Sequence, residues 1–367
     1  MITLQNIKSA FLNDQGVIQR YAEYLPVTNK TPIISLNEGS TPLIHSPKLS
    51  EKIGRDCQVY IKYEGLNPTA SFKDRGMTLA ISKARENNAQ AVICASTGNT
   101  SASAAAYAAR ASLKCVVLIP EGKIAKSKLT QAIVYGAKVL AIQGNFDVAL
   151  SLVREIGQSG KACIVNSINP DRIEGQKTAA FEIIDDLGDA PHIHILPVGN
   201  AGNITAYWKG YREFAEKGKS TCCPKMIGIQ AEGAAPIYYN RVIDQPSTLA
   251  SAIMIGNPAS WEGASEAIQQ SGGAVDIVSD QDLLRAQRWL AQEEGIFIEP
   301  ASAASIAGLM QLFDPSAPGK IALEPGSTIV CTATGHGLKD SESALIDAPS
   351  PIRASADIEE ILKILQP

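Results

Sequence analysis

Short apolar runs alternate with amphipathic stretches along most of this 367-residue chain. The apolar runs predict buried strands at Val59–Tyr63, Ala91–Ala95, Cys115–Ile119, Lys138–Ile142, Ala162–Asn166, His192–Val198 and Met226–Gln230. Helical spacing between them predicts helices at Asp74–Asn87, Asn99–Ala111, Ala125–Tyr135, Asp147–Gln158, Glu174–Leu187 and Asn203–Lys217. Strands and helices that alternate in this way form right-handed crossovers and mostly parallel sheets. We therefore predict an α/β fold with two open, mostly parallel sheets.

The last third of the chain is less regular. The stretch Ala234–Gly273 is rich in Gly, Pro and Ser and is predicted to be less regular than the stretches before it. Helices at Asp280–Glu294 and Ser302–Leu312 and a strand at Thr328–Thr332 are predicted to follow it. A short helix, Ile358–Leu365, is expected near the C-terminus.

Composition narrows the class of protein. The formal net charge is −4, which argues against capture of nucleic acid or of an anionic membrane surface. No stretch is long and apolar enough to span a membrane, and the first residues lack the pattern of a secretory signal. Most of the seven cysteines lie in apolar runs, which indicates buried reduced thiols rather than disulfides. With only four histidines and no Cys/His cluster, we expect no structural zinc site. We expect a cytoplasmic protein without a metal.

Lys73 stands where an extended run, Gln58–Glu64, and a proline-containing turn lead into a predicted helix. The amino end of a helix carries partial positive charge, which disfavours a cation. That field, together with burial, lowers the pKa of a lysine and enlarges its neutral, nucleophilic fraction. A solvated lysine in a first helical turn is the plain alternative, and the residue alone does not decide between them.

Two loops with small polar residues join a predicted strand to a predicted helix: Ser96-Thr97-Gly98-Asn99-Thr100 and Gly199-Asn200-Ala201-Gly202-Asn203. The free N–H groups of a helix start favour a carboxylate or a phosphate. Ser, Thr and Asn are also ordinary helix caps, so the first loop alone leaves both interpretations open. The second loop lacks the G-x-G-x-x-G spacing of dinucleotide sites, which favours a lone phosphate over NAD.

A third polar segment, Asn166–Thr178, lies between a predicted strand and a predicted helix. Asparagines, a proline and an arginine are typical of a solvated turn. Arg172, preceded by Asn166 and Ser167, also suits a phosphate, because the planar guanidinium binds such groups with two hydrogen bonds.

The segment Cys331–Asp340 ends the last predicted strand. Ligands of open parallel sheets bind beyond the carboxyl ends of the strands, which makes Thr334 and His336 candidates for a site. The other histidines, His45, His192 and His194, are expected to be structural.

Together these segments resemble the pyridoxal-phosphate enzymes of the tryptophan-synthase-β fold, and among them the threonine synthases. The resemblance spans Leu36 to about Asp340. The strings that carry it are SFKDRG at 71–76, STGNTSAS at 96–103, NSINPDRIEGQKT at 166–178, GNAGN at 199–203 and TGHGLKD at 334–340.

The resemblance implies a role for each candidate residue. Lys73 would hold pyridoxal 5′-phosphate as a Schiff base and act as the catalytic acid and base. The other cofactor contacts would be Asn99 to the phenolic oxygen, Thr334 to the ring nitrogen, and Gly199, Asn200, Ala201, Gly202 and Asn203 to the phosphate. Ser96 and Thr97 would hold the substrate carboxylate. The substrate's own phosphate would contact Thr100, Asn166, Ser167 and Arg172.

The resemblance also implies a domain organisation. In fold type II enzymes a small domain is set into a larger one, and the cofactor lies in the cleft between them. We expect a large domain of residues 1–81 and 168–351, a small mobile domain of residues 82–167, and a C-terminal helix within 352–367. A homodimer is implied in the same way.

The implied activity is the conversion of O-phospho-L-homoserine and water to L-threonine and phosphate, the last step of threonine biosynthesis. A serine/threonine dehydratase or a related pyridoxal-phosphate lyase is the alternative, because it shares the fold and the SFK core. A dehydratase needs no arginine for a substrate phosphate. A non-catalytic metabolite binder is disfavoured, because Lys73 and both phosphate segments are present.

Overall fold

The structure is a computed structural model that describes residues 16–122, 126–144, 146–313, 323–346 and 350–364. Its strands are β1 (Leu43–His45), β2 (Gln58–Tyr63), β3 (Ala91–Ala95), β4 (Lys114–Pro120), β5 (Lys138–Ile142), β6 (Cys163–Ile164), β7 (Ile193–Pro197), β8 (Lys225–Ala231), β9 (Ala274–Val278) and β10 (Thr328–Ala333).

From β1 to β8 the strands alternate with α-helices, whereas consecutive helices occur in the last third of the chain. They are α1 (Val17–Arg20), α2 (Pro47–Ile53), α3 (Lys73–Glu86), α4 (Asn99–Arg110), α5 (Lys126–Val134), α6 (Phe146–Gln158), α7 (Pro170–Leu187), α8 (Gly202–Glu216), α9 (Pro236–Tyr239), α10 (Trp261–Ser271), α11 (Asp280–Glu294), α12 (Pro300–Leu312), α13 (Ser341–Ala344) and α14 (Ile358–Ile364). None of these helices combines the length and apolar character needed to span a bilayer.

Two sheets organise the strands. The larger has the order β1-β2-β10-β7-β8-β9 and the smaller the order β5-β4-β3-β6. Within the described residues, these strands pair in parallel except β1 with β2, which are antiparallel. The prediction of an α/β fold with two mostly parallel sheets is confirmed.

The larger sheet is buried on both faces, as parallel sheets are. Successive residues of β10 point to opposite faces: Ile329 packs with Ile61 and Ile306 in one core, whereas Val330 packs with Phe181 and nearby aromatic rings in another. This double coverage explains why the strands appear in the sequence as continuous apolar runs.

One predicted helix boundary was wrong, and some elements were not predicted. Helix α7 begins at Pro170 rather than at Glu174, because the Asn169 side chain accepts a hydrogen bond from the backbone N–H of Asp171 and the proline occupies the first helical position. The stretch Ala234–Gly273, predicted to be less regular, contains the helices α9 and α10, which were not predicted individually, and the unpredicted strand β9 follows it directly.

A buried network of charged side chains ties α3 to α7 and β2. The Arg75 guanidinium donates to both carboxylate oxygens of Glu182, at 2.7 and 2.6 Å, and to both oxygens of Glu64, at 2.6 and 2.7 Å. The Lys62 ammonium lies 3.0 Å from Glu182. Because buried charges are tolerated only when they are paired, this network fixes the first turn of α3, where Lys73 lies.

Helices α3 and α7 cross with their backbones in contact. A Cβ atom added at Gly175 would lie 2.1 Å from the carbonyl oxygen of Arg75, and one added at Gly76 would lie 2.7 Å from the carbonyl oxygen of Arg172. Glycine is therefore required on both helices. The contact brings the start of α3 and the start of α7 together.

We predict that Gly175→Ala destabilises the protein, because the added methyl group must push two helix backbones apart. The expected loss is about 1–3 kcal/mol of unfolding free energy, measured by urea denaturation followed by circular dichroism. Gly202→Ala is the matched control for stability, since its Cβ would meet its nearest neighbour, the Ile173 side chain, at an ordinary 3.4 Å. Equal stability of the two variants would contradict the prediction.

Candidate active site

A cavity of about 620 Å³ lies at the carboxyl ends of strands from both sheets. Its wall includes the residues that end or follow β3, β7 and β10. All the residues predicted from the sequence to form the site line it: Lys73, Ser96, Thr97, Asn99, Thr100, Asn166, Ser167, Arg172, Gly199, Asn200, Ala201, Gly202, Asn203 and Thr334.

Lys73 is the first residue of α3 and faces the cavity. Its ammonium group lies 4.0 Å from the centre of the Phe72 ring. The pKa of Lys73 is lowered to about 7, mainly by removal from bulk water and in addition by the positive charge of Arg172, while the carboxylate of Glu299 acts in the opposite direction. The lowered pKa expected from the sequence is therefore present, and its main cause is desolvation.

The loop from Gly199 to Asn203 forms an anion cradle. Ala201 has a φ of +63°, a left-handed conformation rare for alanine, which turns successive backbone N–H groups toward one side. Helix α8 begins at the next residue and adds its free N–H groups. Gly199 is required here because a Cβ would lie 2.9 Å from the Cα of Ile253. The buried Nδ2 of Asn203 has no hydrogen-bond partner within the described residues.

Asn200 and Asn166 line the cavity, but their side chains also hold neighbouring backbone. The Oδ1 of Asn200 accepts a hydrogen bond from the N–H of Ala259 at 3.1 Å. The amide of Asn166 pairs twice with the backbone of Ala95, at 2.9 Å each. The pairing of Asn166 with Ala95 fixes the end of β3, where the loop to Asn99 begins.

Arg172 lies in the first turn of α7, not in a loop as predicted, and only 1% of it is exposed. One terminal nitrogen donates to the carbonyl oxygen of Val165 at 3.2 Å, and its Nε has no partner. Among the described residues no carboxylate pairs with it. Burial lowers its pKa to about 10. A buried guanidinium without a counter-ion is an anion site, because an uncompensated buried charge is costly.

The end of β10 is tied to the Lys73 segment. The backbone N–H of Phe72 donates to the carbonyl oxygen of Thr334 at 2.9 Å. The hydroxyl of Thr334 lies 2.9 Å from that of Ser302 in α12. These contacts place the Thr334 hydroxyl on the same cavity as the Lys73 amine.

Sequence reasoning missed three charged residues of the cavity wall, Glu299, Lys339 and Asp340. Glu299 is buried beside Asn99, and burial raises its pKa. A usable signal was present, because a carboxylate directly before a proline closes the apolar run Ile296–Ile298. Lys339 lies in the TGHGLKD segment, and its ammonium donates to the carbonyl oxygen of Thr69 at 3.2 Å and to the Gln131 side chain.

The histidines behave largely as structural residues. The buried ring of His194 is hydrogen-bonded to Thr332 at 2.7 Å and to Tyr211 at 3.0 Å, and burial lowers its pKa to about 3. The Nδ1 of His192 accepts from the backbone N–H of Thr328. His336 lines the cavity, where its Nδ1 accepts from the backbone N–H of Leu338 and its ring stacks on Tyr63.

The sequence profile of the family described as pyridoxal-phosphate dependent enzyme matches residues 34–335. Threonine synthase of Halalkalibacterium halodurans is 57% identical over 90% of this chain and 91% of the relative. Threonine synthase of Synechocystis sp. is 52% identical over 96% and 91%, and that of Mycobacterium leprae is 54% identical over 94% and 96%. The chain belongs to the pyridoxal-phosphate dependent enzymes, in the threonine synthase family. The resemblance seen in the sequence and the cofactor expected from it are thereby confirmed.

Solved structures of lower identity support the fold alone. Cysteine synthase of Entamoeba histolytica matches with a TM-score of 0.72 at 21% identity, covering 89% of this chain and 93% of that one. Threonine deaminase isoform 2 of Solanum lycopersicum matches with a TM-score of 0.70 at 20% identity, covering 96% and 89%.

The donors of the cavity fit the family's cofactor. Pyridoxal phosphate presents an aldehyde, a phosphate and a polar ring edge. The cavity presents a lysine amine of lowered pKa, an anion cradle with an unpartnered amide on Asn203, and the polar side chains of Asn99 and Thr334. Each polar group of the cofactor thus has a complementary group on the wall.

We predict that Lys73 in the cofactor-free protein reacts with cyanate at a rate that reaches half its maximum near pH 7. The neutral amine is the nucleophile, and half of the Lys73 amines are neutral at the pKa of about 7. Mass spectrometry of the Lys73 peptide measures the rate. Arg172→Gln removes a repelling charge and should move the midpoint to higher pH. A midpoint near the ordinary lysine value of 10.5 in the unsubstituted protein would refute the prediction.

Proposed function

We propose that this threonine synthase family member converts O-phospho-L-homoserine and water to L-threonine and phosphate. The observation that carries the proposal is Arg172, a buried guanidinium without a carboxylate partner in the described residues, on the wall that Lys73 shares. The anion cradle at Gly199–Asn203 suits the cofactor phosphate, so a second anion site in the same cavity calls for a substrate that carries its own phosphate.

When bound, pyridoxal phosphate supplies an aldehyde that condenses with amines and a ring that withdraws electrons from the substrate Cα. Lys73 would hold it covalently through its amine. The residues Gly199–Asn203 would hold its phosphate, with Asn203 Nδ2 as an additional donor. Asn99 would face the phenolic oxygen and Thr334 the ring nitrogen.

The loop at the start of α4 is the proposed binding site of the substrate carboxylate. Ser96 and Thr97 offer hydroxyls, and the backbone N–H groups at the helix start attract an anion. The substrate phosphate would lie against Thr100, Asn166, Ser167 and Arg172. Asn166 retains one amide hydrogen for it, because its pairing with Ala95 uses the other.

Lys73 is the proposed proton carrier. With a pKa of about 7, its released amine accepts the proton from the substrate Cα and donates protons later in the reaction. Arg172 stabilises the negative charge on the departing phosphate. Loss of a proton from the β-carbon lets the bond between the γ-carbon and the phosphate oxygen break. Protonation of the γ-carbon then makes the methyl group, water adds its hydroxyl at the β-carbon and gives its proton to the phosphate, and a proton returns to Cα.

The organisation of the protein is part of the same proposal. Residues 82–167 would form a small mobile domain that closes on a large domain of residues 1–81 and 168–351, with the helix Ile358–Ile364 as the C-terminal element. The hydrogen bonds of Lys339 to Gln131 and of Asn99 to Glu299 join the two parts across the cavity.

We also propose a cytoplasmic homodimer. The cytoplasmic location is supported by the seven cysteines, none of which forms a disulfide.

Product analysis tests the activity. We predict equimolar phosphate and L-threonine from O-phospho-L-homoserine, with little keto acid from L-threonine.

Lys73→Ala should slow turnover by about a thousandfold or more, because it removes both the covalent link and the proton carrier. Keto acid as the main product, without phosphate release, would favour the dehydratase alternative instead.

Arg172→Ala is predicted to raise the KM for O-phospho-L-homoserine by about tenfold or more, since it removes a charged hydrogen-bond donor from a buried site. Cofactor affinity, measured by absorbance titration, should stay close to that of the unsubstituted enzyme. Arg110→Ala, at the exposed end of α4, is the matched control for loss of an arginine. A loss of cofactor affinity alone would mean that the two phosphate sites have been exchanged.

A further inference from the structure

Glu299 is a buried carboxylate on the cavity wall to which the proposed function assigns no role. It directly precedes α12 and is only 4% exposed. Its two oxygens both accept from the Nδ2 of Asn99, at 3.1 and 3.0 Å. The hydroxyl of Thr334 lies at the longer distance of 3.5 Å from it. Glu299 therefore contacts the residues proposed to face two different polar positions of the cofactor ring.

The position of this carboxylate is fixed by its surroundings. The backbone N–H of Glu299 donates to the carbonyl oxygen of Gly335 at 3.0 Å, and its carbonyl oxygen accepts from Ser302 at 2.9 Å. A Cβ added at Gly335 would lie 2.6 Å from the carboxylate carbon. Residue 335 must be glycine for Glu299 to lie where it does.

The negative charge of Glu299 is unfavourable in a cavity that is proposed to bind anionic ligands. The charged or titratable side chains on the same wall are Lys73, Arg172, His336, Lys339 and Asp340. The charges of Lys339 and Lys73 favour the ionised carboxylate of Glu299, but among the described residues the hydrogen bonds that its carboxylate accepts come from the Asn99 amide and, at 3.5 Å, from the Thr334 hydroxyl. The contact that remains to be explained is the one with Asn99.

A carboxylate constrains an amide strongly, because it only accepts hydrogen bonds. It repels the Oδ1 of Asn99 and binds the Nδ2, which fixes one of the two amide orientations. The Nδ2 group carries two hydrogens. With both carboxylate oxygens on one side of the nitrogen, the second hydrogen is left for a group in the cavity.

We propose that Glu299 is a positioning residue, which holds the Asn99 amide so that its nitrogen, and not its oxygen, is presented to the phenolic oxygen of the cofactor. The inference rests on the cofactor of the proposed function and is independent of its substrate. This proposal adds the start of α12, where the sequence predicted no site residue, to the cofactor site.

A double-mutant cycle tests the proposal. Cofactor-free protein is titrated with pyridoxal 5′-phosphate, and the apparent Kd is measured from absorbance for the unsubstituted protein, Glu299→Ala, Asn99→Ala and the double variant. Glu299→Ala should weaken binding about tenfold when Asn99 is present. In the Asn99→Ala background its effect should fall to about twofold or less, because coupled residues are not additive. Equal losses in both backgrounds would overturn the proposal.

Conservative variants and a stability measurement separate positioning from a structural role. Glu299→Gln keeps an acceptor oxygen for Asn99 and should recover most of the lost affinity. In Glu299→Asp the carboxylate is too short to reach the Asn99 amide. This variant is used in place of Glu299→Ala if the alanine variant does not fold. Glu293→Gln, on the surface beside Lys48, controls for loss of charge. A lowered melting temperature of Glu299→Ala with unchanged cofactor affinity would refute positioning. None of these measurements uses O-phospho-L-homoserine, so their outcome does not depend on whether the proposed reaction is correct.

Discussion

The contact on which the site depends is the crossing of α3 and α7. At Gly76 and Gly175 the two backbones touch, and beside them Arg75 binds Glu182 through two hydrogen bonds. One helix carries Lys73 in its first turn and the other carries Arg172 in its first turn. The distance between Lys73 and Arg172 is therefore set by helix packing, which is stiff, and not by loops.

The cavity collects the amino ends of several helices. Helices α3, α4, α7, α8 and α12 all begin on its wall or within a few residues of it. Each contributes free N–H groups and the positive end of its dipole. This arrangement attracts carboxylates and phosphates and disfavours protonation of a lysine. The same geometry thus gathers the ligands and increases the neutral fraction of Lys73.

The sequence predicted the sheets and the polar segments well, because parallel strands are continuous apolar runs and the polar segments follow them. It predicted the start of α7 poorly, since the Asn169-Pro170 pair was read as a turn and not as a helix cap. Helix α10 was missed because it contains glycine and serine. Its Gly263 is needed against Thr205, where a Cβ would lie 2.6 Å from a side-chain atom. The run Ile296–Ile298 followed by Glu299 and a proline marked a carboxylate at the end of an apolar segment, but the sequence could not show its contact with Asn99, which lies 200 residues away along the chain.

The proximity of Arg172 to Lys73 has an electrostatic consequence. Repulsion from the guanidinium contributes to the low basicity of the amine while the anion site is empty. A doubly charged anion seated on Arg172 cancels that repulsion, so the amine becomes a stronger base when the site is filled and a weaker one when the anion departs. The strength of the base then follows the occupancy of a neighbouring site, and a ligand without a phosphate meets a weaker base than one that carries it.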